Sequence, residues 1–213
     1  KAATFYKKFH YGLFSYIAHR IPEISDEVFR VDDAMKAGFG WEIGAFESWD
    51  ALGVASTVKA MQAEGYTLPG WINTMLEKGN TSFYTVENGR QLYYDIQTQS
   101  YVAIPGGDAF IVMRNFKDQT VWKNSACRTY HLGADVLGLE WYTKMGSMGG
   151  EVLEGILKSI SLAEEKYKGL VIANEGPNFS AGANVGMIFM LAIEQDYDEI
   201  DMAIANSNGD IHK

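Results

Sequence analysis

The sequence predicts an α+β fold: a small helical domain, a β-containing connector and the opening of a strand–helix–strand module, in that order. Three observations predict it. Apolar residues recur at helical spacing through the first 78 residues. An Asn-Gly dipeptide with Tyr/Val-rich flanks follows them. From residue 134 onward, strand-like and helix-like apolar runs alternate.

In residues 1–78, Phe5, Phe9, Leu13, Tyr16 and Ile17 set a helix that Pro22 ends. Ser25 is the expected N-cap of the next helix, with Asp26 and Glu27 in its first turn, where negative charge suits the helix dipole. Val28, Val31 and Met35 continue that helix, and Gly38 is its expected C′ residue. A Gly- and Trp-rich turn, Gly38 to Gly44, leads into a helix through Phe46, Trp49 and Leu52. A further helix over Ser56–Glu64 stops at Gly65, and a short one over Trp71–Lys78 follows Leu68-Pro69-Gly70. Residues 79–133 lose the helical period. Asn88-Gly89 predicts a two-residue hairpin and Pro105-Gly106-Gly107 a turn before the apolar run Phe110–Met113. In residues 134–213, Val136–Trp141 reads as a strand. Gly149-Gly150 opens a helix bearing Val152, Leu153, Ile156, Leu157 and Ile160, which Gly169 ends. Leu170–Ala173 reads as a short buried strand, and an apolar helix starts near Asn184.

Composition removes several classes of function. The 213 residues are 47% apolar and carry 18 basic against 27 acidic side chains, a net charge of −9. That is a globular composition, and an acidic chain without a Lys/Arg cluster is a poor partner for nucleic acid or anionic lipid. The longest apolar run, Val185–Ile193, is about half of the ~20 residues a membrane span needs. Cys127 is the single cysteine, which excludes an internal disulfide and a Cys-rich zinc site and fits a reducing, cytoplasmic setting. The first ten residues lack the apolar core of a signal peptide, and both ends read as a piece of a longer chain.

The segment most informative about chemistry is Phe179-Ser180-Ala181-Gly182-Ala183-Asn184, between a strand and a helix. Small residues let a ligand approach the backbone, and the first turn of a helix leaves N–H groups without partners. Such amides suit an anionic oxygen, whether a phosphate or a developing enolate. A tight loop with small residues that only permit packing has the same composition. The turn Gly38, Gly40, Gly44 is one residue off the dinucleotide fingerprint and follows a helix rather than a strand, so it fails as an NAD site. His10, His19, His131 and His212 show no metal or triad spacing. Glu175 reads as a solvated loop carboxylate, Ser180 as a loop-lining or capping residue, and Cys127 as inert.

Two stretches resemble known families. The run GLVIANEGPNFSAGANVGM, with VLGLEWYTKMGSMGGEVLEGILKSI upstream, is similar to the crotonase (enoyl-CoA hydratase/isomerase) superfamily over residues 134–205. That resemblance implies that Ala183 donates its backbone N–H to a thioester oxygen. It also implies that Ala181, Gly182 and Asn184 lie along the CoA moiety, and that Lys144, Met145 and Gly146 form a CoA-contacting loop. The stretch Asp32–Gly53 resembles the signature of the C-terminal helical domain of 3-hydroxyacyl-CoA dehydrogenases, with Glu42 and Ala45 where that signature has prolines. Together the two imply a fragment of a fused β-oxidation enzyme: residues 1–78 the dehydrogenase-like helical domain, 79–133 the connector, and 134–213 a partial crotonase-like domain. Acyl-CoA would be the substrate and NAD the cofactor of the parent protein. The NAD domain would precede residue 1, and the acid–base residues would follow residue 213. The isolated chain is then expected to be inactive, with partners in the missing domains of the parent and in a homo-oligomer. An apolar face at Ile188, Phe189 and Leu191 is expected to lie open. A non-catalytic helical assembly or docking module, and another crotonase-type isomerase or hydrolase, are the rival expectations.

Overall fold

The computed structural model describes residues 1–176 and 178–209. Two compact units divide the chain, Lys1–Phe110 and Ile111–Lys213. The stretch 79–133 is thus shared, its first part belonging with the helices and its second with the strands that follow.

The first unit holds α1 (Ala2–Arg20), α2 (Val28–Phe39), α3 (Ala45–Leu52), α4 (Val54–Ala63) and α5 (Gly70–Glu77), then the antiparallel strands β1 (Tyr84–Glu87), β2 (Arg90–Asp95) and β3 (Ser100–Ala103). Asn88 and Gly89 both adopt positive φ, as the tight turn joining β1 to β2 requires. Aromatic rings build the core. Phe14 of α1 stacks on Trp49 of α3 at 4.7 Å between centroids, and Phe83 meets Phe46, Trp49 and Trp71. Helix α1 also carries an apolar stripe on its opposite side, where Phe5, Phe9 and Tyr16 stay exposed. Two expected helix ends shift. Glu27 is the N-cap of α2, and Ser25 instead bonds Glu27, so Asp26 and Glu27 precede the helix rather than fill its first turn. The left-handed residue after α2 is Gly40, whose N–H reaches Lys36 O; Gly38 is still helical.

The motif Asp32–Gly53 has a structural explanation. Asp32, fully buried on α2, accepts hydrogen bonds from the Phe46 and Glu47 N–H groups at the start of α3 and from the Tyr84 hydroxyl. It therefore caps a helix other than its own. Gly44 leaves room for it: a Cβ there would sit 2.2 Å from Asp32 Cβ. Glu47 accepts the Gly44 N–H at 2.6 Å and pairs with Lys36 at 3.0 Å. Asp50 accepts from Phe83 and Tyr84 N–H, fastening β1 to the end of α3. Ala45 is the first residue of α3, the helical position that tolerates proline, so the departure from the family pattern leaves the turn intact.

Burial pushes both carboxyls up, Asp32 to about 6 and Asp50 to about 6, against the pull of their N–H and O–H donors. A carboxyl whose folded pKa is raised binds protons more tightly in the native state. Its stabilisation is complete below the unfolded value near ~3.9 and is lost as pH rises through about 6. Chemical denaturation is therefore expected to show the first unit gaining stability from pH 7 to pH 5, with Asp32 alone contributing roughly 1 kcal/mol. Asp32→Asn is expected to flatten that dependence. An Asp32→Asn protein with the wild-type pH slope would exclude Asp32 as its source.

The second unit is a four-stranded sheet in the order β4 (Thr120–Lys123), β5 (Cys127–Gly133), β6 (Val136–Trp141), β7 (Gly169–Ile172). The first three are antiparallel; β7 pairs parallel with β6, reached through α6 (Gly150–Lys166). Helix α6 covers one face, burying Val152 and Ile156 against Cys127, Leu139 and Trp141. Gly155 permits that approach, since a Cβ there would lie 2.7 Å from Cys127 Sγ. A buried hydroxyl pair, Thr129 with Ser159 at 2.7 Å, closes the contact. Met113, Phe116 and Tyr130 form a smaller cluster with Leu132 and Ala173. Two expectations change. Gly169 opens β7 rather than ending α6, which stops at Lys166. The strand is not buried: it pairs with β6 alone, and Val171 and Ile172 are exposed. Helix α7 (Val185–Glu194) has no buried residue, and its exposed side chains include Val185, Ile188, Phe189 and Ile193, while Leu191 is partly covered; α8 (Tyr197–Gly209) follows.

Candidate functional site

The site forms where the segments after β6 and after β7 meet. After Trp141 the chain turns tightly. Gly146 N–H bonds Thr143 O, Ser147 N–H bonds Lys144 O, and the Thr143 hydroxyl bonds Ser147 O at 2.7 Å. Met145 and Gly146 both have positive φ, at 60° and 69°. The left-handed conformation suits Gly146, and so does the space: a Cβ there would approach Phe179 O at 3.1 Å and Ser180 Cα at 3.3 Å. The second segment lies against this turn. Ser180 donates to Gly146 O at 3.0 Å and accepts from Gly182 N–H at 2.9 Å. Asn174 donates to Phe179 O, and Phe179 packs edge-on against Trp141 at 5.2 Å.

One short bridge then fixes the bend. Met148 N–H bonds Gly182 O at 2.8 Å and Asn184 N–H bonds Met148 O at 2.9 Å, a parallel pairing of Met148 with Ala183. In such pairing the flanking residues bond inward and the central residue faces away. The Ala183 N–H makes no hydrogen bond among the described residues, and Ala183 is exposed just before α7. Asn184 caps that helix, its side chain accepting from Met187 N–H. Of the three amides at the bridge, Gly182 and Asn184 spend theirs within the protein, and Ala183 keeps its own.

The other expected residues fall as follows. Ala181 and Gly182 are exposed on the bend. Met145 and Gly146 line a cleft of about 600 Å³ together with Thr143, Asn174, Glu175 and Asn178; Lys144 is exposed and does not line it. Glu175 is bound rather than free: it accepts the Met113 N–H and pairs with Arg114 at 3.8 Å. Sequence reading missed that tie because its partners lie some sixty positions upstream. Cys127 is buried, and burial with the nearby Glu151 and Glu154 pushes its thiol up to about 11, so it is inert at neutral pH. His10 and His19 bond the carbonyls of Tyr6 and Ser15, one helical turn back, and His131 packs near Tyr167; His212 lies outside the described residues. Among the described residues no group of His, Cys, Asp and Glu is arranged to hold a metal, and no helix is long and apolar enough to cross a membrane.

The Gly38–Gly44 turn does not fit NAD. The one Gly-rich turn of the first unit is filled by the Asp32 side chain, and a buried carboxylate there would repel a pyrophosphate.

Comparison with known proteins agrees with the dehydrogenase resemblance. The chain is 40% identical over 191 residues to a Bacillus subtilis protein named "Probable 3-hydroxyacyl-CoA dehydrogenase", covering 89% of this chain and 24% of that protein. It is 22% identical over 190 residues to a Rickettsia felis protein and 23% identical over 196 residues to one from Rickettsia prowazekii. Both are named as a fatty acid oxidation complex trifunctional enzyme, and each match covers 87% of this chain and 23% of the relative. The chain spans about a quarter of the length of the curated relatives it matches. No protein-family model matches it, and no solved structure does.

Proposed function

We propose that this chain is part of a fatty acid β-oxidation polypeptide that joins an NAD-dependent 3-hydroxyacyl-CoA dehydrogenase to an enoyl-CoA hydratase, with its second unit contributing one oxyanion donor for an acyl-CoA thioester. The observation that carries the site assignment is the unbonded, exposed Ala183 N–H at the start of α7. A thioester oxygen resting on it would gain a hydrogen bond and the favourable end of a helix dipole as enolate character develops. Ser180 and the Met148 bridge hold that amide in place from both sides. The relatives named for fatty acid oxidation support the dehydrogenase part. The crotonase likeness of Phe179–Asn184 supports the hydratase part.

The bend offers the Ala183 donor, and the carboxylate nearest it in the sequence is not free to move a proton. Glu175 is engaged with Met113 and Arg114. Proton transfer and a second donor would come from other parts of the parent polypeptide. The longer polypeptide is therefore expected to hydrate crotonyl-CoA and to reduce NAD with a 3-hydroxyacyl-CoA, while residues 1–213 alone do neither. Hydration of crotonyl-CoA by the 213-residue chain would overturn the division of labour. A parent polypeptide silent with both substrates would overturn the assignment.

A further inference from the structure

The bend that presents the Ala183 N–H pivots on a glycine. Gly182 takes φ 85°, a conformation open to it because it has no Cβ, and its surroundings are empty: an added Cβ would meet nothing within 4 Å. The same freedom makes it the residue about which the bend rotates most readily. The direction of the Ala183 hydrogen depends on that rotation. The peptide joining Gly182 to Ala183 is planar, so its N–H points opposite to its C=O. The Gly182 carbonyl accepts from Met148 N–H at 2.8 Å, and the Ala183 N–H therefore points away from Met148. A flip of this peptide about Gly182 would turn the hydrogen inward.

Ser180 restrains the other side of the pivot. A hydroxyl has one proton and two lone pairs. The proton goes to Gly146 O at 3.0 Å, and a lone pair accepts the Gly182 N–H at 2.9 Å. The peptide before Gly182 is thus held by Ser180 and the peptide after it by Met148. Both anchors of the hydroxyl are firm. Gly146 is buried with its N–H on Thr143 O, and Asn174 holds Phe179 O at 3.0 Å, steadying the backbone just before Ser180. We infer that Ser180 is a positioning residue: its hydroxyl locks the Gly182 pivot so that the Ala183 N–H stays turned outward. The inference rests on the reading that this N–H meets a thioester oxygen, and it adds the group that aims it. Ser180 touches no reacting atom in this role; it acts through Gly182.

Two measurements test this, one without substrate and one with it. Ser180 is partly exposed and belongs to no core cluster, so its variants are expected to fold. In amide hydrogen exchange of the 213-residue chain by NMR, Ser180→Ala is expected to cost the Gly182 amide roughly tenfold or more of its protection, with Ala183 fast in both proteins. In the parent polypeptide, Ser180→Ala is expected to lower kcat for crotonyl-CoA hydration about tenfold with KM within about twofold. NAD reduction by a 3-hydroxyacyl-CoA, measured on the same sample, is expected to stay unchanged. Ser180→Thr keeps the hydroxyl and is expected to keep both the protection and the rate. Unchanged Gly182 protection or unchanged kcat in Ser180→Ala would overturn the inference, and so would a loss in Ser180→Thr as large as in Ser180→Ala. Loss of Gly182 protection in the variant, beside a wild-type polypeptide that does not hydrate crotonyl-CoA, would overturn the thioester reading while supporting the lock.

Discussion

Gly44→Ala is expected to destabilise the first unit by about 3–5 kcal/mol, a large fraction of the stability of a typical domain. The backbone there is ordinary, with φ −75°, so the effect is one of space. The new Cβ would fall 2.2 Å from Asp32 Cβ and 2.3 Å from its Cγ, and the Asp32 backbone is fixed within α2. If the carboxylate withdraws, the Phe46 N–H is left buried without an acceptor and the Tyr84 hydroxyl loses its partner. Gly38→Ala makes the informative comparison. Its Cβ meets nothing within 4 Å inside α2, so it is expected to leave stability unchanged or to raise it by up to ~1 kcal/mol. Urea unfolding followed by tryptophan fluorescence measures both. A Gly44→Ala midpoint equal to the wild type would show that Asp32 does not need that space. If the clash is the cause, Asp32→Ala and Gly44→Ala combined cost less than their separate effects summed.

The same pair shows what a sequence can and cannot display. Elements with local causes were legible: α3 from Phe46, Trp49 and Leu52, the hairpin from Asn88-Gly89, β6–α6–β7 from alternating apolar runs, and the start of α7 at Asn184. Elements with distant causes were not. The strand β5 buries Thr129, whose hydroxyl is satisfied by Ser159 thirty residues later, so its inward face does not read as apolar. Neither β4 nor β3, four residues each, gives a period to count. The cap of α3 is supplied by a residue fourteen positions before it, beyond the reach of any rule about neighbours. In the site, the bend at Phe179–Asn184 was visible because small residues cluster there. Which of its amides stays free was not, because that depends on Met148 crossing from another segment.

That free amide yields the largest functional expectation. Replacing the Gly182–Ala183 peptide by an ester removes the Ala183 N–H and makes Gly182 O, which accepts from Met148 N–H at 2.8 Å, a weaker acceptor. The Ala183 N–H bonds nothing among the described residues, so the stability cost is that of one weakened acceptor, about 0.5–1 kcal/mol. In the parent polypeptide the same exchange is expected to lower kcat for enoyl-CoA hydration by roughly 10²–10³, or about 2.7–4 kcal/mol of transition-state stabilisation, with NAD reduction by 3-hydroxyacyl-CoA unaffected. The matching ester at Asn184 should show the reverse. Its N–H holds the Met148 bridge at 2.9 Å, so stability falls first, and activity only as the bend loosens. Equal losses of hydration at the two positions would mean that the bend acts as a scaffold and Ala183 touches no substrate. A loss of hydration confined to Ala183, in a protein that keeps more stability than the Asn184 ester does, requires that its hydrogen is used on something the chain itself does not contain.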